Sequence, residues 1–91
     1  MENLGLNIEV KRVHRLKTGK SLKAFADIVV NDAILIKGLR VVEGKNGLFV
    51  AMPSEQSAKD NKWYDNVRCL DDDIRDRISQ EVLTVYASEE I

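Results

Sequence analysis

Apolar and polar positions trade places in two different rhythms along this chain, a short one through its first half and a longer one near its end. From Asn7 to His14 the run is β-branched and roughly alternating, which reads as a first strand. Lys17-Thr18-Gly19-Lys20 reads as a turn. Between Leu22 and Val30 the alternation is clear, with Leu22, Ala24, Ala26, Ile28 and Val30 on one face and Lys23, Phe25, Asp27 and Val29 on the other. Asn31-Asp32 is short, polar and tolerant of positive φ, so it suits a two-residue hairpin turn. Closure there predicts that Val30 faces Ala33, Ile28 faces Leu35, Ala24 faces Leu39 and Leu22 faces Val41. The same register puts Lys23 opposite Arg40.

Glu43-Gly44-Lys45-Asn46-Gly47 is a strong turn signal, and Leu48 to Met52 after it reads as a buried strand that Pro53 ends. Ser54 to Lys62 is polar, mixed in charge and without a period, which predicts an exposed loop. Trp63, Tyr64 and Val67 are expected to form a short extended piece returning to the sheet. The rhythm then lengthens. Asp71-Asp72-Asp73 supplies a helix cap and dipole-matching carboxylates ahead of Ile74, Ile78, Val82 and Val85, with Leu83 and Tyr86 alongside. That spacing predicts an amphipathic helix of about four turns.

The fold expected is α+β: a small antiparallel sheet of four to five strands with one C-terminal amphipathic helix, residues 1–91 forming a single domain. One helix covers roughly one sheet face. The other face, collecting Phe25, Val29, Ile34, Ile36 and Val42 among Lys23, Asp27 and Arg40, keeps more apolar surface than water favours. Such a leftover patch marks an interface, so the expectation is a homodimer formed through that face or a sheet edge.

Composition narrows the class. Ninety-one residues with 44% hydrophobic and 32% charged positions describe a small globular chain, neither a disordered polymer nor a membrane protein. No apolar run is long enough to cross a bilayer, and Met1 to Gly5 has no cationic segment leading an apolar stretch, so the expected location is the cytoplasm. A lone cysteine, Cys69, forms no internal disulfide. Net charge is −1 and the sequence pI about 5.8, so nucleic-acid binding has to rest on a local patch.

No catalytic signature stands out, and no cofactor is expected. His14, the only histidine, reads as a surface or edge residue, and Cys69 as a small buried hydrophobe. One Cys and one His cannot close a structural zinc site, and the aspartate triplet lacks the spacing of a calcium loop. The basic residues are more informative. Lys11, Arg12, Arg15, Lys17 and Lys20 concentrate in the first strand and its turn, and a Lys23–Arg40 pair beside Phe25 would welcome a phosphate. The bland alternative is that these cations keep a sheet edge soluble.

The run Arg40-Val41-Val42-Glu43-Gly44-Lys45-Asn46-Gly47-Leu48-Phe49-Val50-Ala51-Met52-Pro53-Ser54 closely resembles the signature of the SpoVG family, the stage V sporulation protein G or septation regulator group of bacteria. The likeness extends more loosely over Ile8 to Val13, Lys23 to Val30, and Ile78 to Tyr86. The resemblance implies a homodimeric, nucleic-acid-binding regulator associated with cell division and sporulation. Many members of that family carry a Lys-Arg pair straight after the Pro-Ser and an Arg after the downstream aromatic; here those positions hold Glu55, Gln56 and Tyr64. Losing cations there weakens the electrostatic term.

The resulting expectation is a non-enzymatic DNA- or RNA-binding protein whose phosphate contacts are Arg75, Arg77, Lys59 and Lys62, with Lys23 and Arg40 as further candidates. Trp63 and Tyr64 offer stacking platforms for single strands. An alternative is a protein-interaction module in septum formation, presenting Glu55, Asp60 and Asp65 to a basic partner. A hydrolase would need His14 and Cys69 to be neighbours.

Overall fold

A computed structural model describes residues 6–17 and 19–88; the reading of Met1 to Gly5, and Thr18 of the first turn, lie outside the described residues. The elements in order are β1 (Ile8–Arg15), β2 (Leu22–Val30), β3 (Ile34–Gly44), β4 (Gly47–Ala51), β5 (Ser54–Gln56), β6 (Trp63–Asp65) and α1 (Asp72–Ser88). Strands β1 to β4 form an antiparallel sheet in sequence order, β5 and β6 a separate hairpin, and α1 closes one face. The α+β architecture matches the alternation and the helical period that the sequence carries.

The core is Ile8, Ala24, Ala26, Ile28, Leu39 and Val41 of the sheet with Ile78 and Val82 of the helix. Each fully buried Ile, Leu or Val contributes about 1.5–3 kcal/mol relative to exposure. Ile74, Leu83 and Tyr86 extend the helical stripe against that core. Asp71 caps the helix: its Oδ1 accepts from the N–H groups of Asp73 (2.9 Å) and Ile74 (3.2 Å), which leaves two fewer orphan donors.

The β2–β3 register differs from the expected one. Asn31 and Asp32 do take positive φ (54° and 52°), and the Ala33 N–H donates to the Val30 carbonyl at 3.0 Å. Ala33 is nevertheless left out of the ladder, so Val30 pairs with Ile34 and Ile28 with Ile36. A bulge at Lys37 and Gly38 then adds another residue, giving Ala26↔Leu39, Phe25↔Arg40 and Ala24↔Val41. Gly38 takes φ 87° there, and its N–H donates to Asp27 Oδ1 at 3.3 Å. A last irregularity at Lys23 pairs Leu22 with Val42.

These slips re-sort the faces, because side chains alternate with a period of two. Ile36 joins the core while Leu35 is 53% exposed, the reverse of the expected assignment. The second face carries two apolar groups: Val29 with Leu35, and Leu22 with Val42 and Phe49. Arg12 and Asp27, a cross-strand pair, lie between them with the row His14, Phe25, Arg40 and Ala51. The helix reaches neither group, so the second face is not dry.

Ser54 to Lys62 is not simply a loop. Ser54, Glu55 and Gln56 pair with Asp65, Tyr64 and Trp63, so the Trp-Tyr segment joins β5 rather than the main sheet. Ser57 N–H donates to the Lys62 carbonyl at 2.8 Å, and Asn61 closes the turn at φ 59°. Asparagine tolerates that left-handed conformation better than most residues.

Candidate nucleic-acid interface

Two cationic regions and one aromatic hairpin make up the surface on which binding could occur. Arg40 is the link between sheet and hairpin. Its Nη1 donates to Ser54 Oγ at 2.9 Å and its Nη2 to the Ser54 carbonyl at 3.0 Å, while its guanidinium carbon lies 5.0 Å from the centre of the Trp63 ring. The guanidinium is thereby fixed in a fork, and the indole above it remains 58% exposed. Lys59 and Lys62 stand exposed on the same hairpin.

The hairpin interleaves its charges. Asp60 Oδ2 accepts from the Tyr64 hydroxyl at 2.6 Å, and Asp60 Oδ1 from the Lys62 N–H at 3.0 Å. The Tyr64 bond, and secondarily the Lys62 N–H, hold the Asp60 carboxyl below its ordinary value; the same bond pushes the Tyr64 phenol up. Glu55 accepts from Asn66 Nδ2 at 3.3 Å, and Asp65 from Arg68 Nε at 3.1 Å. Tyr64 is therefore committed to a local bond at its polar end, whereas the Trp63 ring is held only from one side.

The other expected contacts are already occupied. Lys23 is not opposite Arg40; Phe25 is, and Lys23 Nζ instead reaches Glu43 Oε1 at 3.4 Å. The supposed like-charge pair does not exist, because the bulges displace it. Arg75 pairs with Asp72 at 3.0 Å, one turn earlier on the exposed helix face. Arg77 is half-buried and donates through Nη1 to the Leu6 carbonyl at 3.0 Å, which ties the segment before β1 to the helix.

Arg15, in the basic run of β1, has a structural task that the sequence does not signal. Its guanidinium stacks on Tyr86 and donates to the Tyr86 carbonyl at the helix end. His14 is exposed on the second face, whereas Cys69 packs against the core and donates weakly to the Asp71 carbonyl at 3.4 Å. The pair needed for a thiol hydrolase is not assembled. Among the described residues no group of His, Cys, Asp and Glu is placed to hold a metal ion. No helix among them is long and apolar enough to cross a membrane.

This arrangement defines a small α+β protein with a sheet covered by a C-terminal helix on one side and an aromatic hairpin anchored by an arginine on the other. The SpoVG family model matches residues 6–88, and the chain belongs to that family. It is 39% identical over 75 residues to a Macrococcus caseolyticus protein named "Putative septation protein SpoVG", covering 82% of this chain and 64% of that relative. An Archaeoglobus fulgidus protein of the same name is 37% identical over 79 residues, covering 87% of this chain and 92% of the relative. A Staphylococcus carnosus namesake is 37% identical over 75 residues, with 82% and 69% covered. The aligned part of this chain thus spans less than two thirds of the Macrococcus relative's length.

Proposed function

We propose that this protein is a cytoplasmic, non-enzymatic regulator that binds DNA or RNA and acts in cell division, working as a homodimer. The observation that carries the nucleic-acid reading is Trp63, an exposed indole set above a fixed guanidinium, on a hairpin that also carries the exposed Lys59 and Lys62. Bases of any identity stack on such a ring, and cations beside it follow the phosphates. The family's septation name supports the cell-division part. Homodimerisation is supported by the uncovered Leu22, Val42 and Phe49 group of the second face, away from Arg12, which a second copy would remove from water. Pairing also doubles a weak binding surface and raises avidity.

The test is a fluorescence-anisotropy titration with labelled single-stranded and duplex oligonucleotides across salt concentrations. Binding that weakens steeply with salt, accompanied by quenching of the sole tryptophan on single strands, is expected. A flat signal at tens of micromolar protein rejects the reading. The interleaving of Glu55, Asp60 and Asp65 with the hairpin cations favours a second one, a protein-interaction module facing a basic partner. A partner recovered from lysate after nuclease treatment, with no oligonucleotide binding, selects it.

A further inference from the structure

We infer that the main phosphate-contacting surface is the β1 edge of the sheet and the turn after it, through Lys11, Arg12 and Lys17, rather than the helix. This rests on the nucleic-acid reading above and names the residues that would supply its electrostatic affinity. Charge is segregated along the chain. Residues 9–20 hold five of the 14 cations but one of the 15 carboxylates, so that segment carries +4 and the remainder −5. A protein with net charge −1 can present a polyanion with a favourable field only from such a segregated face.

The structure then separates the cations that are committed from those that are not. Arg15 is turned inward against Tyr86, Arg77 holds Leu6, Arg75 pairs with Asp72, and Lys23 pairs with Glu43. Lys11, Arg12 and Lys17 are exposed, and among the described residues no carboxylate lies within ion-pair distance of them. Asp27, the register partner of Arg12, accepts instead from the Gly38 N–H. Among the described residues no strand pairs with the outer side of β1, which leaves that edge open to a long ligand. The register shift between Val10 and Arg12 leaves Lys11 as an extra residue in β1, which breaks the ladder beside these cations.

Each phosphate neutralised by a cation releases counterions, so the slope of log K against log salt reports the number of contacts. The experiment compares the full chain with a Lys11→Gln/Arg12→Gln/Lys17→Gln variant, using labelled single-stranded DNA, single-stranded RNA and duplex DNA. Lys59→Gln/Lys62→Gln serves as the second variant, and urea midpoints confirm that both fold. The triple variant is expected to bind at least tenfold more weakly at low salt and to lose about two to three units of slope, roughly one per cation. The hairpin variant is expected to lose less slope.

An unchanged slope in the triple variant, with wild-type protein still binding, overturns the edge assignment and leaves the nucleic-acid reading standing. Absence of salt-dependent binding by the wild type overturns both. Polyglutamate competing as well as an oligonucleotide of equal charge also overturns the inference, since the edge then recognises acidic protein.

Discussion

The guanidinium carbon of Arg15 lies 3.9 Å from the centre of the Tyr86 ring, and the same side chain donates to the Tyr86 backbone carbonyl. The last turn of the helix contains no basic residue of its own. A strand cation, distant in sequence, thus meets the negative end of the helix dipole and one of its unpaired carbonyls.

Arg15→Ala should therefore destabilise the protein by about 2 kcal/mol, combining a lost charged hydrogen bond with a lost cation-π contact. Arg15→Lys should recover part of that, since an ammonium keeps the charge but not the planar stack. Urea unfolding followed by circular dichroism measures both. Equal losses in the two variants would mean that stacking supplies the whole effect.

The bulge at Gly38 makes a prediction about neighbours in sequence. Ile36→Ala should cost about 2 kcal/mol or more by opening space in the core, and Leu35→Ala should cost well under 1 kcal/mol. A simple two-residue hairpin reverses that order. Gly38→Ala meets no steric neighbour within 4 Å, yet its φ of 87° should make the change cost about 1 kcal/mol.

The second face predicts an oligomer. Phe49 packs its ring across Gly44, where an added Cβ would come within 3.0 Å of it, and Phe49 itself is 49% exposed. Phe49→Asp should convert a dimer to a monomer in light scattering with little loss of fold. A wild-type chain that is monomeric at micromolar concentration defeats the premise.

Asp60 and Tyr64 predict opposite pH behaviour. Asp60, held below 3.8 by the Tyr64 hydroxyl, contributes stability above that ordinary value and loses it as pH falls through its lowered folded value. Tyr64, pushed above 10.0 by the same bond, contributes below that pH and loses it as pH rises through its raised folded value. Both groups lie on the exposed hairpin, so the effect on global stability should be small. Tyr64→Phe should move the Asp60 titration upward in an NMR pH series; no movement would show that the bond is not formed in solution.

Strands β1 to β4, the helix and its cap were legible because each depends on neighbours in sequence: alternation in β2, the glycine-rich turn before β4, Asp71 ahead of the helical stripe. The β5–β6 hairpin was not, nor was the exposure of β4, whose apolar run reads as buried although Leu48 and Phe49 are 42% and 49% exposed. The Lys23–Arg40 pairing was not, since a single residue left out of a ladder reverses which side chains meet. The fates of individual arginines were equally hidden. Arg75, Arg77, Arg15 and Arg40 look alike in a string of letters, yet one pairs along the helix and the others reach Leu6, Tyr86 and Ser54.

What the order of amino acids determined by itself was the periodicity, hence β1 to β4 and the helix, and membership of the family; of the sheet face it points to as core, Ala24, Ala26, Ile28, Leu39 and Val41 are buried, whereas Leu35 is exposed. What only the tertiary structure decided was register, the division of the second face and the identity of the uncommitted cations. The physical reason is range. Hydrophobic period and capping act over a few residues, whereas bulges, cross-strand partners and the bond from Arg15 to Tyr86 exist only once distant segments are brought together.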